Sequence, residues 1–262
     1  MKYFVRLTFA LLSALVIAPP LPAAKPKKGP EILIVADTFG KAETTTRPSS
    51  ENPISYMLFI GKQRDLGAAI AGIKAPPKEE IEALIQRTLS DQGYVRKEIG
   101  DTIPDIFIVY TFGSAYTEED YLGSLEFDEE TGEFSGGNII GNDVGSRELF
   151  ALVGGNKVLQ QKRASRDDVE SVQDAADTNR LFIMIAAVDG PKFFNGEKEI
   201  MWRTRISIPS RGFNLPSFMD LMLETAAPYF GKDSELPIFL REEDRRKTDV
   251  QIGDATVVEE PK

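Results

Sequence analysis

The sequence predicts an α+β domain with a mixed or antiparallel sheet of about five strands and two main helices on one face. Five short apolar runs rich in branched and aromatic residues accompany two amphipathic helices, each with one apolar stripe, and the second helix closes the series. Two of these runs are apolar on both faces, which is typical of central strands. An acidic, glycine-rich segment at 114–178 interrupts the pattern, and we predict that it is an insertion that decorates the domain.

The elements follow the order strand, strand, helix, strand, insertion, strand, strand, helix. The strands are predicted at 31–36, 54–60, 103–112, 181–188 and 198–208, and the main helices at 79–92 and 215–227. Gly93 is expected to end the first helix in the left-handed conformation, and Asn214 to cap the last one. Within the insertion we predict a hairpin with Phe127 opposite Phe134, and short helices from Ser146 and from the capping box that begins at Ser165.

The strand at 198–208 alternates between apolar and polar side chains. Its apolar positions include Trp202 and Ile206, whereas Arg203, Arg205 and Ser207 share the opposite face. Such alternation predicts one buried and one solvated face. The two arginines could also bind an anion or an acidic partner, but the pattern favours a solvated strand face.

The first 24 residues have the three parts of a secretory signal. Lys2 and Arg6 form the basic start, 7–18 the apolar core, and Ala23 or Ala24 the small residue at the cleavage point. The apolar core is too short to cross a hydrocarbon layer, which needs roughly 20 residues. The predicted organisation is a signal peptide at 1–24, a basic linker at 25–30, a single α+β domain at 31–240 and a disordered charged tail at 241–262.

Composition restricts the compartment and the partners. The chain has no cysteine, so we expect no disulfide and no lipid anchor. Removal of the signal takes away two of the 31 basic residues, which leaves 29 against 41 acidic ones, or a net charge of about −12. This charge disfavours nucleic acid as a partner. With no other stretch long enough to span a membrane, we expect a soluble protein exported to the bacterial periplasm.

Histidine is absent as well as cysteine. This excludes Ser-His-Asp and Cys-His catalysis and the common zinc ligands. We therefore assign no catalytic, metal-binding or cofactor-binding residue and expect no cofactor. The predicted function is non-enzymatic binding of an unknown envelope protein or cell-envelope component. The candidate partner-binding residues are Asn138, Asn142, Asp143, Arg147, Arg203 and Arg205.

Two other functions stay open. The acidic insertion could serve a carboxylate-based hydrolase or a calcium or small-ligand binder, with Asp128, Glu130 and Asp143 as its carboxylates. The domain could instead be a structural subunit of a larger assembly. A convergent pair of acidic side chains in a pocket would favour the first of these alternatives.

Several short motifs resemble domain-of-unknown-function family 4136, a family of bacterial envelope proteins. A helix that ends in Gly93-Tyr94 precedes the strand PDIFIVYTF, and later segments read FIMIAAVD and IMWRTRIS before a closing helix. The likeness covers roughly 81–230. Thr204 and Phe230-Gly231 depart from the family pattern, as does the missing lipid-bearing cysteine. The resemblance implies an envelope location and an α+β fold, and it implies no catalytic residues.

Overall fold

A mixed sheet of eight strands forms the centre of the computed structural model, beside a separate two-stranded ribbon. The structure describes residues 29–40, 48–49, 51–59, 61–66, 76–98, 100, 102–116, 126–127, 134–135 and 144–241. The α+β class and the mixed sheet predicted from the sequence are confirmed.

The strands are β1 (Ile32–Thr38), β2 (Ile54–Leu58), β3 (Lys62–Gln63), β4 (Tyr94–Arg96), β5 (Ile106–Ala115), β6 (Glu126–Phe127), β7 (Phe134–Ser135), β8 (Arg180–Asp189), β9 (Ile200–Pro209) and β10 (Ile238–Leu240). The helices are α1 (Lys78–Asp91), α2 (Val144–Leu152), α3 (Gly155–Gln160), α4 (Arg166–Ala176), α5 (Gly190–Phe194) and α6 (Leu215–Ala226), and a 3₁₀ turn (Ala227–Tyr229) follows the last of them.

The strand order across the main sheet is β10-β1-β9-β8-β5-β2-β4, and β3 continues along β5 beyond the end of β2. The pairs from β10 to β5 are antiparallel, whereas β2, β3 and β4 join in parallel. The two runs that are apolar on both faces became β5 and β8, which pair with each other over ten residues in the middle of the sheet. Their predicted central position is thus confirmed.

The first face of the sheet is covered by α1 and α6, as the two amphipathic patterns predict. Ile81, Ile85 and Leu89 from α1 and Met219 and Met222 from α6 are buried in one hydrophobic cluster with the strands. Gly93 ends α1 with a φ of 88°, a left-handed conformation that glycine adopts without strain.

The second face is also covered by helices, which corrects the prediction of helices on one face only. Buried side chains of α2, α3 and α4 form a second hydrophobic cluster against β1 and β8; it contains Leu149, Phe150, Val153, Val158, Val169 and Val172 together with Leu33, Val35 and Phe182. Helices α2, α3 and α4 therefore contribute to the core and are not a decoration. The sequence pattern suggested otherwise because these helices are short and lie within a polar, glycine-rich segment.

The predicted count of about five strands was wrong, since the main sheet has eight. The strands that sequence periodicity missed are β3, β4 and β10, which have two or three residues each. So short a run cannot display an alternating pattern. Two local predictions are confirmed: the Ser165 capping box at the start of α4, and the hairpin that places Phe127 opposite Phe134.

The predicted signal peptide and all but the first residue of the predicted tail lie outside the described residues. Pro30, the last residue of the predicted linker, is buried. Among the helices that the structure describes, none combines the length and the apolar character needed to cross a membrane.

Candidate functional site

A cluster of charged side chains lies on the second face of the sheet, where β1 pairs with β9. The antiparallel register places Asp37 directly opposite Arg203 and Val35 opposite Arg205. Oδ2 of Asp37 accepts a hydrogen bond from Nη2 of Arg205 at 2.6 Å and another from Nη2 of Arg203 at 3.2 Å. One carboxylate therefore serves two guanidinium groups.

The helices of the second face add a third cation. Nζ of Lys157, in α3, lies 3.2 Å from Oδ1 of Asp37 and 3.1 Å from Asp233. From α2, the carbonyl oxygen of Ala151 accepts a hydrogen bond from Nη1 of Arg205. We call Asp37, Lys157, Arg203, Arg205 and Asp233 the charge cluster.

Positive charge exceeds negative charge in this cluster, since three cations face two carboxylates. Burial alone would raise the pKa of Asp37, but Arg205, Lys157 and Arg203 together outweigh it and hold the pKa below its usual 3.8. Burial lowers the pKa of Arg205 to about 10, against the raising effect of Asp37. Counted as formal charges, three cations and two carboxylates give the cluster a net charge of +1.

The sequence pattern predicted a solvated face for these arginines, and for Arg205 this was wrong. The alternation itself is correct, but α2 covers the strand, and the Arg205 side chain is 9% exposed. Ser207 is also buried, and it accepts a hydrogen bond at 2.9 Å from Nε of the buried Arg180. Arg203 keeps 32% exposure and lies over the ring of Phe39.

A pocket of about 180 Å³ opens next to the two arginines. Its floor follows a row of cross-strand neighbours, because Arg205 pairs with Met184 and Met184 pairs with Thr111. We call this cavity the arginine pocket. Its lining residues are Arg64, Leu66, Thr111, Glu148, Ala151, Leu152, Phe182, Met184, Arg203 and Arg205.

The charged side chains around the pocket are three arginines and one glutamate. Arg64 and Glu148 form an ion pair between the β3–β5 edge and α2, and both are partly exposed. That pair is neutral as a unit, so the charge available to a ligand comes from Arg203 and Arg205. The Nε atoms of both these arginines are buried without a hydrogen-bond partner among the described residues. Buried donors in this state cost free energy, on the order of 1–3 kcal/mol each.

The candidate residues from the sequence are only partly placed by the structure. Arg203 and Arg205 lie together in the charge cluster, and Arg147 is exposed on α2, next to Glu148 in sequence. Asn138, Asn142 and Asp143 lie outside the described residues, as do Asp128 and Glu130 of the alternative acidic site. The described residues contain no group of three or more acidic side chains that could hold a metal ion.

Sequence reasoning missed Asp37, Lys157, Arg64 and Glu148. A polar residue at the end of an apolar strand was visible at Asp37, but the partner strand of β1 was not. Asp37 and Arg203 are 166 residues apart, and only the sheet topology brings them together.

A second cavity of about 530 Å³ lies near α5, between aromatic side chains. Phe59, Phe107 and Phe193 contact one another there, and Phe194 is 69% exposed. None of the residues that line this cavity is titratable. It therefore offers apolar contact but no group that selects a ligand by charge.

No protein-family model and no curated protein matches the chain, so the resemblance to domain-of-unknown-function family 4136 stays a prediction. Two solved structures of PelC dodecamers from Paraburkholderia phytofirmans, in space groups C2 and P6, are similar to it at a low level. Each is 7% identical, and the alignments cover 76% of this chain and 96% of the PelC chain, with TM-scores of 0.33 and 0.32. Similarity this low carries no argument about function.

Proposed function

We propose that this chain is an exported, non-enzymatic binding domain that recognises an acidic group of an envelope protein or cell-envelope component in the arginine pocket. One observation carries the proposal: the buried guanidinium group of Arg205 and the partly exposed one of Arg203 share a single carboxylate beside an open cavity. The periplasmic location and the envelope partner rest on the secretory signal and the family resemblance.

An anion in the pocket would neutralise the excess positive charge of the charge cluster. The charge cluster has one more cation than carboxylates, and Lys157 divides its interaction between Asp37 and Asp233. Two unit charges 4 Å apart near a protein surface interact by about 4 kcal/mol at an effective dielectric constant of 20. A bound carboxylate would thus gain substantial attraction, and it would supply acceptors for guanidinium donors.

A purely structural role explains less of the geometry. A single arginine would be enough to form an internal ion pair with Asp37. Arg205 already forms that pair, with a hydrogen bond of 2.6 Å. Arg203 adds a second bond at 3.2 Å and keeps a third of its side chain exposed. Arg203 thus bonds Asp37 and also lines the pocket, as is expected of a ligand-binding cation.

The non-enzymatic part of the proposal rests on the sequence, which contains neither histidine nor cysteine. The alternative of a carboxylate-based hydrolase or calcium binder depends on Asp128, Glu130 and Asp143, outside the described residues. The arginine pocket favours binding, because its lining has one carboxylate, Glu148, and that group is paired with Arg64.

Replacement of Arg203 by glutamine tests the proposal by affinity capture from periplasmic extract. The substitution removes the charge but keeps most of the side-chain length, and Arg205 still pairs with Asp37. We expect partners retained by the wild-type chain to be lost, with a decrease of about tenfold or more in their recovery, as for one charge-assisted hydrogen bond.

The matched control is Arg211→Gln, an exposed arginine in the turn after β9. Equal recovery by the wild-type chain and both variants would refute the role of the pocket. Loss with Arg211→Gln as well as with Arg203→Gln would show that total charge, and not this site, governs recovery.

A further inference from the structure

The lining of the arginine pocket is mostly apolar apart from its charged side chains. Leu66, Leu152, Phe182 and Met184 contribute carbon and sulfur surface around the guanidinium groups, and Thr111 contributes a hydroxyl group. Leu66, Leu152 and Phe182 are themselves buried and belong to the second hydrophobic cluster. A fully hydrated anion such as phosphate would leave this surface without a matching contact.

The size of the pocket restricts the ligand further. A volume of about 180 Å³ is several times the roughly 30 Å³ that one water occupies in the liquid. A carboxylate alone would fill only part of it. A short branched carbon chain would fill the rest, and it would contact Met184, which lies next to Arg205 across the β8–β9 pair.

The direction of the ligand follows from the register of the sheet. Arg205, Met184 and Thr111 occupy successive positions across β9, β8 and β5 on the same face. The uncompensated positive charge is therefore at the β9 side of the pocket, and the uncharged side chains of Met184 and Thr111 extend from it toward the Arg64–Glu148 ion pair at the β3–β5 edge. A ligand with a charged head and an apolar body matches this gradient, with its carboxylate at Arg203 and Arg205.

We infer that the arginine pocket binds a compact carboxylate with a branched apolar group, supplied either by a free small acid or by the last residue of a chain. This inference rests on the proposed function and specifies the ligand of the same site. Phosphate, sulfate and polyols are disfavoured because they lack the apolar part. Neutral apolar molecules are disfavoured because they would leave the excess positive charge of the cluster uncompensated.

Calorimetric titration of the full chain tests the inference with four small probes: 4-methylpentanoate, 4-methylpentanamide, acetate and inorganic phosphate. We expect 4-methylpentanoate to bind at least tenfold more tightly than the neutral amide, since a charge-assisted hydrogen bond is worth about tenfold or more. We also expect it to bind at least tenfold more tightly than acetate or phosphate, because its branched chain is buried.

Two variants locate the binding. Arg203→Gln should weaken the binding of 4-methylpentanoate by about tenfold or more. Met184→Gln should also weaken the binding of 4-methylpentanoate, but it should leave the binding of acetate unchanged. Arg211→Gln should change the affinity for neither of these two probes. Binding of 4-methylpentanoate that is unaffected by Arg203→Gln and Met184→Gln would overturn the inference.

A peptide that ends in leucine with a free carboxylate, compared with its amide, distinguishes the two sources. Binding of the free peptide alone indicates a chain terminus, and binding of the small acid without the peptide indicates a free acid; either supports the shared chemistry. If acetate or phosphate bound as tightly as 4-methylpentanoate, the requirement for an apolar group would be overturned, whereas recognition of an acidic group would stand. If no probe binds although capture still depends on Arg203, the inference fails and the proposed function stands.

Discussion

Replacement of Asp37 by asparagine is expected to lower the free energy of unfolding by about 3 kcal/mol, as for removal of one partner from a buried ion pair. The Asp37 side chain is 14% exposed and contacts three cations, of which Arg205 and Lys157 are even less exposed. Without the carboxylate, Arg205 would lose its acidic partner. Equilibrium unfolding in urea at neutral pH measures the change.

The pH dependence of stability gives an independent test of the same group. Because the folded-state pKa of Asp37 lies below its usual 3.8, its contribution is present above that value and is lost as pH falls through the folded pKa. The loss of stability on acidification should therefore be smaller in Asp37→Asn than in the wild-type chain. Asp233→Asn is the control, since Asp233 is 44% exposed and its loss should cost less than about 1 kcal/mol. Equal stability of the Asp37 variant and the wild-type chain would show that the cluster does not hold the fold.

Replacement of Phe150 by alanine is expected to destabilise the protein by about 3–5 kcal/mol. Phe150 is 4% exposed in the core between α2 and the sheet, and its ring lies against Gly155, where a Cβ atom would be about 2.2 Å from it. The ring packs tightly against the backbone of α3, so its removal would leave a cavity in the core. Urea unfolding with an unchanged slope would assign the change to stability.

Leu159→Ala is the matched control, because Leu159 is an apolar helical residue of the same layer but is 37% exposed. We expect it to cost less than about 1 kcal/mol. If Phe150→Ala proved as mild as Leu159→Ala, the helices of the second face would be an accessory layer and not part of the core.

Much of the fold could be predicted because its signals are local. The stripe of α1, the glycine at 93 and the caps at Ser165 and Asn214 each lie within a few residues of the structure they produce. The two-sided apolar runs also predicted the central position of β5 and β8. What failed were the elements that depend on distant partners, such as β10, which has three residues and exists through its pairing with β1.

In the candidate site, too, the local features could be predicted from the sequence and the long-range contacts could not. Alternation in β9 indicated that Arg203 and Arg205 share a face, and this is what the structure shows. It could not indicate that α2 would cover that face, nor that Asp37 would lie across the β1–β9 pair. Charge alone also suggested that the arginines were solvated, since arginine is seldom buried without a partner. Here the partner is the carboxylate of Asp37.

Photo-crosslinking in living cells tests the central claim most directly. A diazirine-bearing amino acid at position 184, on the floor of the arginine pocket, should yield a covalent adduct with the acidic ligand or partner. The same amino acid at position 170, on the exposed side of α4, should yield none, and Arg203→Gln should abolish the adduct at 184. Adducts of equal yield from both positions, or an adduct at 184 that persists in Arg203→Gln, would contradict the claim that this pocket is the binding site.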